Sequence, residues 1–366
     1  MRLVNRSAEL CSRRLFLFTI PAVALASRGD TSPAEPITFN DAATDAPVMR
    51  LTDPQFSSFL PPYYGYAVSR KGDYLVYASD VTGRMEAYRL DLKKHESRQI
   101  TEAESLGGLT LLPDNRAFLY IDGGTLFTAS VSSLRPRELY RCTGGFSPVP
   151  GIGVSIDGLF AAIVERNNDL YRLQLIDLRK GTVVSLAQTN EPLRNPQPRP
   201  KRASVLYHRG PGVWLANYDG KQNYRLRLAP GETGPSQWSP DGRTILYLNY
   251  PDDPSKLHNI REFVPDTNED RYVADTTQYI SFRANTDASM FVGASGSKAS
   301  PYVLLLARKV NRELTLCEHR ASDPDMVSPI FSRNSQQVFF TSDMHGKPAL
   351  YSMDVAKLVE QTEDLA

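Results

Sequence analysis

The chain has 366 residues, 41% of them hydrophobic and 23% charged, with a formal net charge of +1. This ordinary balance suits a globular protein and gives no electrostatic case for nucleic acid or an anionic membrane surface as a partner. Its three cysteines and five histidines show no zinc-like spacing.

The first element is an export segment. Ser12-Arg13-Arg14-Leu15-Phe16-Leu17 has the form of a twin-arginine signature, and Leu15 to Ala26 is apolar with small residues at Ala24-Leu25-Ala26. The pattern predicts a cleavable twin-arginine signal over 1–26, a mature start at Ser27, and a periplasmic or secreted location. The apolar run is shorter than the ~18 residues a membrane span requires, and no later stretch is long enough either. Cleavage would leave 38 basic and 40 acidic side chains (42 − 4 and 41 − 1). Residues 27–46 open on a polar, Pro-containing run and read as a flexible tether.

From Gly72 onward a short cassette returns seven times, each copy a turn residue followed by an apolar triplet or pair. The anchors are Gly72, Asn115, Gly158, Arg202, Gly242, Ala288 and Ser335, spaced 40 to 47 residues apart. The first copy runs into Leu75-Val76-Tyr77 and the last into Val338-Phe339-Phe340. A period of this length, built of strands and turns, predicts an all-β, seven-bladed β-propeller. No blade buries its faces alone, so all seven must form one domain, spanning 47–361 with a tail at 362–366. Asp157-Gly158, Asp219-Gly220, Asp241-Gly242 and His345-Gly346 mark hairpins. Blade one is expected from about Tyr64 to Thr101. The seventh repeat lacks a fourth strand, and Val48-Met49-Arg50-Leu51 is expected to supply it and close the ring. Cys142 and Cys317 end repeats two and six, too far apart for a disulfide to be expected.

The last repeat carries Phe339-Phe340-Thr341-Ser342-Asp343 followed by Gly346-Lys347-Pro348-Ala349-Leu350-Tyr351. Together with Asn195-Pro196-Gln197, Leu206-Tyr207-His208-Arg209-Gly210-Pro211 and Trp238-Ser239-Pro240-Asp241-Gly242, this run resembles the oligogalacturonate lyases, a family of seven-bladed propellers. The Ser-Pro-Asp-Gly turn is also shared with TolB-like propellers. The resemblance implies a pectin-degrading polysaccharide lyase that cleaves digalacturonate by β-elimination. In that reaction a divalent cation or arginine must neutralise the carboxylate, so that a base can take the weakly acidic C5 proton. It also implies a manganese ion held by histidines and a glutamine. Here those positions fall on Ser281, Asp323, Met326 and Ser328, and the base position on Pro235. Methionine and serine are poor manganese ligands, so no metal or other cofactor is expected to be held in the family's manner.

Two histidines, His208 and His319, keep positions that the family also fills with histidine, and both are ligand-binding candidates beside a structural role. His95, His258 and His345 read as turn or surface residues. Arg209, Arg283 and Arg320 are candidates for a uronate carboxylate, which the planar guanidinium fork fits; Arg199 is a weaker one. Pairing of these arginines with local acids is the competing reading. Asp323 and Asp325 share one short loop. The sequence therefore predicts an exported propeller that acts on, or as a pseudoenzyme binds, uronate oligosaccharides. The alternative is a TolB-like scaffold presenting a surface to a protein partner.

Overall fold

The computed structural model describes residues 27–61 and 65–359; the expected export signal and the 362–366 tail lie outside them. Seven antiparallel sheets form the chain, and the physical reason lies in the strands themselves. The second strands of successive blades, such as Tyr74–Ser79, Ala117–Asp122 and Ile245–Tyr250, are buried almost along their whole length. A strand covered on both faces can be stable only between two other sheets. Accordingly there are seven apolar clusters, one at each blade–blade junction. Between blades two and three, for example, Leu119 and Ile121 meet Ala161 and Ile163.

The repeated cassette forms the turn from the first to the second strand of every blade. Its anchor adopts a left-handed backbone at Gly72, Asn115, Gly158, Gly242, Ala288 and Ser335. In blade four the left-handed residue is Lys201, one position before the expected Arg202. Ser69, Ser155, Ser239 and Ser332, each three residues before its anchor, accept a hydrogen bond from the backbone N–H five residues on. A side-chain oxygen here replaces the backbone partner that a tight turn denies the returning strand.

The N-terminal strand closes the ring as the repeat count requires. Pro47–Arg50 pairs antiparallel with Ala349–Asp354, Met49 opposite Ser352 and Arg50 opposite Tyr351. The Leu51 N–H adds a bond to the Leu350 carbonyl at 2.7 Å. The structure corrects two boundaries. The inner strand of blade one begins at Ser58–Phe59, ahead of Tyr64, which is not among the described residues. Much of the stretch expected as a tether is paired: Thr31–Pro33 extends blade one against Glu96–Gln99, and Ile37–Asn40 extends blade seven against Pro47–Arg50. Free sheet edges recruit these polar segments through backbone hydrogen bonds, which composition does not report. Asp41 and Thr44 fasten the segment to blade six, the Asp41 carboxylate accepting from the Glu318 N–H at 3.0 Å and Thr44 donating to the Leu316 carbonyl at 2.9 Å.

Candidate ligand-binding cup

The inner strands surround the propeller axis, and at one mouth four of them slip register. The slips fall at Leu106/Gly108, Arg194/Gln197, Thr233/Ser236 and Tyr279/Ser281. The inner strand of blade three is interrupted between Ser147–Pro148 and Gly153–Val154. An extra residue bends its strand and re-aims the neighbouring side chains. The result at this mouth is a cup of about 850 Å³, a volume suited to a small oligomeric ligand.

Blade four supplies the first functional pair. Arg194 on the inner strand lies opposite His208 on the second strand, and both line the cup. His208 is only 5% exposed, with Nε2 2.8 Å from the Ser236 hydroxyl. Burial, and then the positive charge of Arg194, push its pKa down to about 4, so the ring is neutral at neutral pH. Arg194 is exposed and has no hydrogen bond or ion pair among the described residues. Its cation is therefore available to a ligand. Arg283 on blade six reaches the axis, where it and Asn195 line both this cup and a second cavity of about 440 Å³ at the opposite mouth.

Blade five adds an oriented aromatic ring. A Cβ at Gly234 would lie 2.7 Å from the Tyr250 hydroxyl and 2.8 Å from two ring carbons. Only glycine lets that ring lie against the bulge. His258 packs on the same tyrosine with ring centroids 4.4 Å apart. Glu232, opposite Tyr250 in register, and Asp325 bring negative charge to the same cup.

Not every candidate residue reaches this place. Arg209 turns away to pair with Glu191 and stack on Trp214, 4.7 Å from ring centroid to guanidinium carbon. His319 is fully buried: Nε2 lies 3.0 Å from the Ser295 carbonyl and Nδ1 accepts from the Ala321 N–H at 3.1 Å, which makes it a neutral structural imidazole. Arg320 is on the surface, paired with Glu318. These three are therefore not lining residues: the strand ends that carry them point to the ring's outer surface or its blade junctions. Arg199 stacks on Trp238 and pairs with Asp266. His345 contacts the Tyr351 hydroxyl at 2.9 Å and packs edge-on against Phe39. Arg194, Glu232 and Tyr250 were not singled out in the sequence. The one signal for Arg194 was its place immediately before Asn195-Pro196-Gln197.

The positions expected to correspond to the family's manganese ligands gather in part. Ser281, Met326 and Ser328 line the cup with Pro235, whereas Asp323 caps the short turn Pro324–Met326 by accepting from the Asp325 N–H. Their donors are two hydroxyls and a thioether, and no cluster of three or more His, Cys, Asp or Glu side chains exists among the described residues. A hard divalent cation takes oxygen anions or imidazole by preference, so this set does not fit manganese. The Ser281 hydroxyl is buried without a hydrogen-bond partner among the described residues, which leaves a polar group unsatisfied at the cup wall.

Fold and site together define a seven-bladed propeller with a cation-bearing cup at one end of its axis. In sequence and structure the chain is similar to oligogalacturonate lyases over about nine-tenths of its length. An oligogalacturonide lyase of Pectobacterium atrosepticum is 26% identical over 380 residues, spanning 89% of this chain and 97% of that protein. A solved oligogalacturonate lyase in complex with manganese superposes with a TM-score of 0.84 at 26% identity, over 90% of this chain and 98% of that one. An oligogalacturonate lyase from Vibrio parahaemolyticus gives 0.83 at 25% identity, over 90% and 99%. Solved TolB propellers are more distant, with TM-scores of 0.48 and 0.49. No family model matches the chain.

Proposed function

We propose that the cup binds uronate oligosaccharides, and that manganese-dependent β-elimination has been lost from it. One observation carries this reading: of the positions expected to hold the metal, the three that line the cup, Ser281, Met326 and Ser328, carry no anionic or imidazole donor, yet the same cup holds two guanidinium groups, Arg194 and Arg283. A carboxylate that a metal ion would neutralise can instead take charge-assisted hydrogen bonds from a guanidinium. Tyr250, held against Gly234, offers a flat face on which the C–H side of a pyranose ring can lie. His208, neutral and hydrogen-bonded through one ring nitrogen, serves as a polar wall group rather than a strong base.

Export by the twin-arginine route is part of the same proposal, supported by Ser12-Arg13-Arg14 and the apolar run from Leu15 to Ala26. No helix among the described residues is long and apolar enough to cross a membrane. Determining the N-terminus of the protein recovered from the periplasm tests this; a start at Ser27 is expected.

The central test is calorimetric titration of the purified chain with digalacturonate, alongside absorbance of the unsaturated product with and without manganese. Binding without product is expected. Arg194→Ala and Arg283→Ala should each weaken binding about tenfold or more, the loss of one hydrogen bond to a charged group. Product formation would restore the enzyme reading. Absence of binding would leave the protein-partner alternative.

A further inference from the structure

The two halves of the cup differ in chemistry. Blades four to seven bring Arg194, His208, Glu232, Ser281, Arg283 and Asp325 to it. The described wall across from them, from blades one to three, presents Phe59, Leu60, Pro61, Ala78, Leu106 and Pro150 and no polar side chain. An unsubstituted uronate carries hydroxyl groups around its ring. Hydroxyls turned toward an apolar wall would lose water and gain no partner. This wall thus suits a ligand with one apolar side.

Among the described residues, the blade-two bulge adds backbone to this wall. Gly107 is the extra residue of the blade-two bulge and has no partner in the register between Leu106–Leu111 and Ala117–Asp122. Gly107 contributes backbone to the cup that it lines. An apolar wall facing a charged one suits a ligand that carries a small alkyl or acyl group on one side.

Building on the uronate reading, we infer that the preferred ligand is a uronate oligosaccharide bearing a short ester, either an O-acetyl group or a methyl ester, seated against the wall of blades one to three. The free carboxylate of such a sugar faces Arg194 and Arg283, and its ester faces Leu106 and Phe59. The substituent is recognised; no bond to it is made or broken.

The experiment is calorimetric titration of the purified chain, at one pH, with digalacturonate, its mono-O-acetyl derivative and its monomethyl ester. At least one ester should bind about fourfold tighter than the plain sugar or better, the effect of taking one methyl group out of water. The tighter of the two names the substituent. Leu106→Thr should bring that ester and the plain sugar to within twofold of each other. If this variant does not fold, Phe59→Thr, half-buried at the same wall, replaces it. Plain sugar binding as tightly as both esters overturns the inference and leaves the uronate reading standing. No binding by any of the three removes both.

Discussion

The two mouths of this propeller are built from the same strands by opposite rules. At one, the first-to-second-strand turn recurs seven times with a left-handed residue and usually a serine oxygen bonding the returning N–H. At the other, four inner strands slip register, a fifth is interrupted, and the cup opens where the repeat fails. A repeated turn marks the end that holds the ring together, and broken repetition marks the end available to a ligand. Local strain and bulges gather where a site needs side chains re-aimed.

The largest expected effect lies at the regular mouth. Gly242 has φ of 72°, and a Cβ there would sit 2.4 Å from the Pro200 carbonyl oxygen. Gly242→Ala should cost about 3 kcal/mol by denaturant unfolding, from the left-handed penalty and a forced backbone shift. Uronate affinity should not change, and a large loss of affinity would show that the two ends are coupled.

Acid should act on the cup end through His208. Its pKa is about 4 in the folded chain against about 6.5 when unfolded. Between these values the unfolded chain binds more protons, so stability present above pH 6.5 is lost as pH falls toward 4. A gap of about 2.5 pH units at about 1.36 kcal/mol each sets this loss at roughly 3 kcal/mol. Burial lowers His319 and His345 in the same direction. Unfolding midpoints across pH 4–7 should show the decline, and His208→Asn should flatten most of it. An unchanged slope in that variant would assign the acid sensitivity to the other two imidazoles.

The smallest effect sharpens the boundary of the site. Arg320 pairs with Glu318 on the surface, where ion pairs contribute little. Arg320→Ala should leave uronate affinity within twofold of the parent protein, in contrast to Arg283→Ala. A tenfold loss would extend the site beyond the cup.

Of the candidate residues, His208 and Arg283 were legible in advance and do reach the cup, as do Ser281, Met326 and Ser328. Arg209, His319 and Arg320 sit within a few residues of equally plausible strand ends, yet they face surface or junction. Periodicity of two assigns a side chain to one face of its sheet, but a single bulge reverses that assignment. Arg194 and Tyr250 were missed for the same reason: their aim depends on the Arg194/Gln197 slip and on a glycine at 234 that admits the ring.

The sequence by itself determined the seven blades and the ring's closure by Val48 to Leu51. Each of these depends on local turn chemistry, apolar alternation or residue identity, which the chain carries wherever it lies. Only the tertiary structure decided that the 27–46 segment is largely strapped to blades one, six and seven, that two guanidinium groups share one cup, and that the described residues of its opposite wall are apolar. Those properties arise between blades far apart in sequence, where backbone edges pair regardless of composition and register slips choose which side chains meet.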